Sequence, residues 1–172
     1  TSKHANVGGC IGNNAAGARS ILYGRTSENL ISVDACLADG FVARLEAGAA
    51  SRHEHIGRLT RRVVDVVLRN RAAIRERFPK TVRRNAGYNL DLILNQIEAS
   101  RGDLDGVNLA HLLAGSEGTL AVTLGAQLKL QPRPKLKGLA LLSFSDLDPA
   151  IEATVPILTT GPSAVELLDD TV

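Results

Sequence analysis

The chain of 172 residues contains no methionine and no tryptophan, and only three phenylalanines, two tyrosines and two cysteines. Each shortage removes a class of protein. Cys10 and Cys36 are too few for a disulfide framework, so they are expected to be buried thiols in a reducing compartment. Aromatics at 3% leave few stacking platforms for single-stranded nucleic acid. No window approaches the roughly 20 consecutive apolar residues of a membrane-spanning helix, and no charged-then-apolar leader opens the chain. The expectation is a soluble, cytoplasmic protein without a transmembrane segment, a membrane-peripheral position of a longer protein being compatible with it. With no methionine, Thr1 included, the chain is read as processed or as cut from something longer.

What is present is ordinary for a globular protein: 44% hydrophobic and 22% charged residues, enough length for one domain or for one domain and part of a second. The net charge of +2 conceals an imbalance, because residues 44–84 hold twelve Lys/Arg against four Asp/Glu while the remainder holds eight against fourteen. Such a block is one way to build a surface for nucleic acid or for an acidic partner. Its arginines also ring an apolar stripe, which is how a solvated helix face looks, and nucleic acid is not expected as a partner.

Along the chain, the Gly/Asn/Ala-rich residues 1–25 read as irregular, with at most a short helical turn. Leu30 to Ala38 alternates with the period of a strand, Asp39-Gly40 reads as a two-residue hairpin turn, and Phe41 to Leu45 alternates again. Ile56, Leu59, Val63, Val67, Ile74 and Phe78 predict one long helix ended by Pro79. A turn at Gly87 leads into a short helix, Ala99 to Gly106 reads as a mobile loop, and Asn108 is placed to cap a helix that Gly115 stops. Thr119 to Gln131 predicts a long antiparallel strand, with Leu120, Val122, Leu124, Ala126, Leu128 and Leu130 on one face. After the linker Pro132-Arg133-Pro134-Lys135 come a predicted strand at Gly138–Phe144, a helix at Asp148–Leu158 disturbed by Pro156, and a short helix at Pro162–Leu168.

Three segments carry candidate chemistry. Val7-Gly8-Gly9-Cys10-Ile11-Gly12-Asn13-Asn14-Ala15-Ala16-Gly17-Ala18-Arg19-Ser20, followed by Tyr23-Gly24, is small enough for backbone to approach a ligand closely. It is neither a Walker A loop nor a Rossmann fingerprint, having no Gly-Lys-Ser/Thr and no preceding strand. Gly115-Ser116-Glu117-Gly118-Thr119-Leu120-Ala121-Val122 places two glycines at a strand entrance. Arg83-Arg84-Asn85-Ala86-Gly87-Tyr88-Asn89-Leu90 sets two arginines before a glycine turn, where they could clamp a carboxylate or simply face solvent.

Taken in order, these segments and the strand–Asp-Gly–strand unit between them resemble FAD-linked oxidases of the D-lactate and D-2-hydroxyglutarate dehydrogenase group, over nearly the whole chain. The Arg-Arg-x-x-Gly-Tyr-Asn-Leu-Asp wording and the closing Gly-Pro-Ser-Ala-Val-Glu-Leu-Leu-Asp-Asp are similar to long bacterial members that join this unit to an iron–sulfur module. The resemblance implies an α+β fold: an antiparallel sheet with helices, the second subdomain of a vanillyl-alcohol-oxidase-type FAD-binding domain over residues 1–132. Residues 133–172 would be the linker and first elements of an α/β cap. It implies FAD as cofactor, held by Gly8, Gly9, Gly12, Asn13, Asn14, Gly17, Ser20, Tyr23 and Gly24 and, from the second stretch, by Glu117, Gly118 and Val122. Arg84 becomes a candidate for the substrate carboxylate, although Ala86 replaces a hydroxyl residue of some relatives. A covalent flavin on Cys10 is not expected. The implied reaction is oxidation of a small D-2-hydroxy acid, with electrons passed to an iron–sulfur module or another acceptor that is not NAD. The family's pyrophosphate loop, catalytic base and metal site are expected outside this chain, which is therefore expected to be inactive alone, with no catalytic or metal-binding residue of its own.

Overall fold

The computed structural model describes residues 3–81 and 83–169. Three short helices open the chain: α1 (Val7–Asn13), α2 (Ser20–Tyr23) and α3 (Thr26–Asn29). The hairpin β1 (Leu30–Leu37) and β2 (Val42–Leu45) comes next, then α4 (Ala49–Arg52), α5 (Glu54–Arg69), α6 (Arg71–Arg77) and α7 (Leu90–Ala99). A 3-10 turn at Leu104–Gly106 leads to α8 (Ala110–Leu113), β3 (Ala121–Leu128) and α9 (Leu147–Thr159). The described strands form an antiparallel sheet in the order β2–β1–β3, so the α+β class expected from the sequence holds.

β1 is central because its alternation buries Val33 and Ala35 on the helix side of the sheet. There they join Leu45 of β2, Ile56, Val64 and Val67 of α5, Ile93, Leu94 and Ile97 of α7, and Ala110 and Leu113 of α8 in one core. Asn108 lies one residue before the N-cap position, Leu109, and still satisfies the helix start as expected: its Oδ1 accepts from Ala110 N at 3.0 Å, while its Nδ2 donates to Ile31 O at 2.8 Å and ties α8 to β1.

Several expectations need correction. The Gly/Asn segment is helical over Val7–Asn13, because Asn6 Oδ1 accepts from Gly9 N and caps the helix despite its glycines. The hairpin loop has three residues: Leu37 N donates to Phe41 O, Gly40 N donates to Leu37 O, and only Gly40 takes positive φ, at 82°. The long basic helix is two, since Asn70 leaves helical geometry and its Nδ2 donates back to Val66 O at 2.8 Å. The polar stretch at 99–106 is closed by its own bonds and anchored elsewhere, with Gly48 N donating to Asp105 O and Ser51 N to Asp105 Oδ1. Both cysteines are free and half-buried.

The largest differences concern β3 and the residues after it. β3 is shorter than expected, and Val122 and Leu124 are 62% and 58% exposed. The register explains why. Ala35 and Leu37 pair with Thr123 and Ala121, so those two share the core side, whereas Val122 pairs with Cys36 on the other face. Asp34 pairs with Gly125 and Ala35 with Thr123, which leaves Leu124 unmatched as a bulge. Gly138–Phe144 forms no strand and Pro162–Leu168 no helix. A strand needs a neighbour to satisfy its N–H and C=O groups, and no described strand lies beside Gly138–Phe144. The helix around Asp148–Leu158 is present as α9, with Pro156 inside its last turn.

Candidate functional site

α1 ends at Asn14, which takes the left-handed conformation (φ 51°) that asparagine tolerates better than other side chains. Its side chain is fully buried: Oδ1 accepts from Ser27 N at 2.9 Å, and Nδ2 donates to Asn89 Oδ1 at 3.4 Å. The turn at 115–118 lies directly alongside. Gly115 N donates to Ile11 O and Glu117 N to Gly12 O, each at 3.0 Å, and Asn13 Nδ2 donates to Glu117 Oε1 at 3.0 Å. The third segment closes over this junction. A Cβ on Gly115, whose φ is 85°, would sit 2.7 Å from Gly87 O and 3.0 Å from Asn85 O. Asn89 Nδ2 donates to Ala114 O at 2.7 Å and to His111 O at 3.1 Å, and Tyr88 Oη and Thr119 Oγ1 share a bond of 2.9 Å. Bonds between residues 25, 75 and 104 apart in the chain thus join the three segments into one unit.

Beside the unit lies an open groove of about 290 Å³, lined by Gly8, Gly12, Ser116, Gly118, Val122 and Thr123 among others. Its glycines carry the chemical information. A Cβ on Gly9 would crowd the capping oxygen of Asn6 at 3.0 Å, so that glycine serves the helix itself. A Cβ on Gly8 or Gly12 would meet nothing closer than 3.7 Å and 3.9 Å, an ordinary contact. Glycine inside a helix costs roughly 0.5–1 kcal/mol relative to alanine. Two such costs without internal need leave bare backbone along the groove. The walls hold main-chain amides, the hydroxyls of Ser116 and Thr123, and small apolar groups.

No family model matches the chain. Among curated proteins it is similar to the D-2-hydroxyglutarate dehydrogenases of Pantoea ananatis (28% identity over 179 aligned residues) and Escherichia coli (29% over 179), each match covering 100% of this chain. It is also similar to the D-lactate dehydrogenase of Archaeoglobus fulgidus, 26% identical over 166 residues and 96% of the chain. The chain is similar to one segment of these dehydrogenases. It spans 17% of the length of the first two relatives and 26% of the third.

The expected site residues divide by their relation to the groove. Gly8, Gly12, Gly118 and Val122 line the groove, and Gly9, Asn13 and Glu117 adjoin it. Asn14 is packed beneath it, with its side chain committed to other protein groups. Gly17, Ser20, Tyr23 and Gly24 are not among the groove residues. Gly17 N donates to Ser20 Oγ at 3.0 Å, Tyr23 O accepts from Asn29 Nδ2 at 2.7 Å, and Gly24 (φ 76°) fits closely against Glu28. Arg84 is also away from the groove. It is buried, ion-paired to Asp91, and stacked 4.9 Å above the Phe78 ring, while its Nη1 and Asp91 Oδ1 have no hydrogen-bond partner.

Two participants, the buried Asn89 and the half-buried His111, were not singled out from sequence. Asn89 stands in the Asn-x-Gly-Tyr-Asn motif, but nothing in its spacing distinguishes it from Asn85. His111 bonds through Nε2 to Leu30 O at 2.9 Å and through Nδ1 to Gln96 Nε2 at 2.5 Å. Since the amide nitrogen must donate, Nδ1 accepts and Nε2 carries the proton. Burial pushes the ring's pKa below its ordinary value, against the smaller opposing effect of the Leu30 carbonyl. This histidine is a neutral structural group. Among the described residues no cluster of three His, Cys, Asp or Glu is placed to hold a metal ion, and no helix is long and apolar enough to cross a membrane.

The basic block is partly neutralised in place. Arg44 pairs with Asp34, Arg52 with Glu46, Arg58 with Glu54, Arg71 and Arg75 with Glu98, and Arg84 with Asp91. The arginines of α5 lie opposite its buried Ile56, Thr60, Val64 and Val67, on the side exposed to solvent.

Proposed function

We propose that this chain forms one wall of an FAD site in an oxidoreductase that oxidises a small D-2-hydroxy acid. Two findings support the reading together: the similarity to named D-2-hydroxyglutarate and D-lactate dehydrogenases, and the glycine-lined groove where separate motifs meet. The observation that carries it is the pair of bare helix positions, Gly8 and Gly12, which line that groove together with Ala121, Val122 and Thr123 of β3. Main chain at Gly8, Gly9, Gly12, Gly118 and Val122 would lie against the cofactor, with Asn13 and Glu117 offering a donor and an acceptor at the rim. A flavin supplies the two-electron chemistry when bound, and the protein supplies position and exclusion of water. Gly17, Ser20, Tyr23 and Gly24 would reach it only at the far end of the same segment.

In this reading residues 1–132 belong to the second subdomain of a vanillyl-alcohol-oxidase-type FAD-binding domain, and residues 133–172 begin the substrate-covering cap. The pyrophosphate grip, the catalytic base and any metal site belong to other segments, and electrons leave to an acceptor other than NAD. Arg84 serves structure through Asp91 unless that pair opens to a substrate carboxylate.

The test is direct. The intact protein, purified and denatured, should release a yellow chromophore identified as FAD by mass spectrometry, and the native protein should bleach on adding a D-2-hydroxy acid but not its L-enantiomer. Absence of any flavin, after reconstitution with FAD has also been tried, would sink the proposal.

A further inference from the structure

We infer that Asn89 is a positioning residue for this site: it fixes the Ala114–Gly115 peptide plane, and through it holds the end of α1 against the 115–118 turn. The functional half of this inference rests on the proposed FAD site. Asn89 is fully buried and cannot itself touch a ligand in the groove. Both N–H groups of its carboxamide are used, Nδ2 donating to Ala114 O and His111 O, and Oδ1 accepts from Asn14.

Ala114 O and Gly115 N belong to one peptide unit. Asn89 grips that unit by its carbonyl, and Ile11 O grips it by its N–H at 3.0 Å. Ile11 O also accepts from Asn14 N at 3.0 Å, so the same carbonyl ends α1 and receives the turn. The residue after this peptide is glycine, which offers little resistance if the plane rotates. Only an amide can donate twice and accept once from this position. Aspartate has the same shape, but it would place an oxygen against the two carbonyls and could not donate to either of them.

The experiment uses the intact protein and its Asn89→Asp and Asn89→Ser variants, with Ile74→Val in the core contact of α6 as a control for general loss of stability. Amide hydrogen exchange should accelerate at Gly115 and Glu117 in both Asn89 variants while the β1 amides keep their protection. The FAD dissociation constant should rise at least about tenfold, the scale of one lost buried hydrogen bond. Ile74→Val should leave it unchanged. Unchanged exchange at Gly115 and Glu117 overturns the positioning role. Accelerated exchange with an FAD affinity equal to that of wild type overturns its link to the cofactor alone. A wild-type protein that binds no FAD overturns the proposed function, and the exchange measurement still decides whether Asn89 holds the turn.

Discussion

Gly115 and Gly118 look alike in sequence, and both adopt positive φ, at 85° and 76°. They should respond differently to alanine. At Gly118 the added Cβ meets nothing within 4 Å, so the cost is the backbone term alone, roughly 1 kcal/mol. At Gly115 the same carbon would press on Gly87 O and Asn85 O, and the segment that closes the unit must move. Urea unfolding should therefore show Gly115→Ala losing about 2 kcal/mol more than Gly118→Ala. Equal losses would mean that the three segments are not packed together at this junction.

His111 makes a pH-dependent prediction with a defined sign. Its folded-state pKa lies below the ordinary value of 6.5, because burial disfavours the imidazolium. Above that ordinary value both folded and unfolded chains carry the neutral ring, and its contribution to stability is fully present. As pH falls below it the unfolded state takes up a proton that the folded state resists, and stability declines through the window down to the folded pKa. The unfolding midpoint should thus drop on acidification through this range, and the slope should flatten in His111→Gln. This behaviour could not be read from sequence, since it depends on the burial that the surrounding elements impose on the ring.

At the scale of elements, the structure agrees with the sequence where local periodicity and tertiary packing ask for the same thing. β1, the presence of a hairpin and part of the α5 stripe were legible, since Val33, Ala35, Ile56 and Val67 lie on the buried face that the apolar spacing predicts, whereas the turn length and the burial of Thr60 and Val64 were not. α1 was not, because three glycines in seven residues outweigh any helical pattern until the Asn6 cap is seen in place. β3 shows a different limit: its alternation was plain, but which half faced the core is fixed by register against β1, and a bulge resets that register. Asn108 was legible as a cap, and its Nδ2 bond to Ile31 O adds a tie between elements that no local signal reveals. Asn108→Ala removes both bonds, so the expected loss is about 2 kcal/mol, beyond the ~1 kcal/mol typical of a cap alone. The urea midpoint of Asn108→Asp, which keeps the cap acceptor and loses the donor, should fall between alanine and wild type.

For the whole molecule, the sequence showed which motifs belong together, and the structure adds how they touch. The exposed apolar surface is a consequence of the same architecture. Leu136, Leu139 and Leu141 are 91%, 96% and 82% exposed in a stretch whose alternation asks for a strand, and Val42, Val122 and Leu124 are bare on the sheet. Exposed apolar side chains favour association, and an unpaired strand-forming segment invites edge pairing. The 172-residue chain should therefore self-associate as its concentration rises, seen in sedimentation velocity as a growing weight-average coefficient. Replacing Leu139 and Leu141 together by lysine should reverse most of that growth without lowering the unfolding midpoint, because neither side chain belongs to the core. A chain that stays monomeric at every concentration would show that these leucines are covered in solution by contacts within the chain itself.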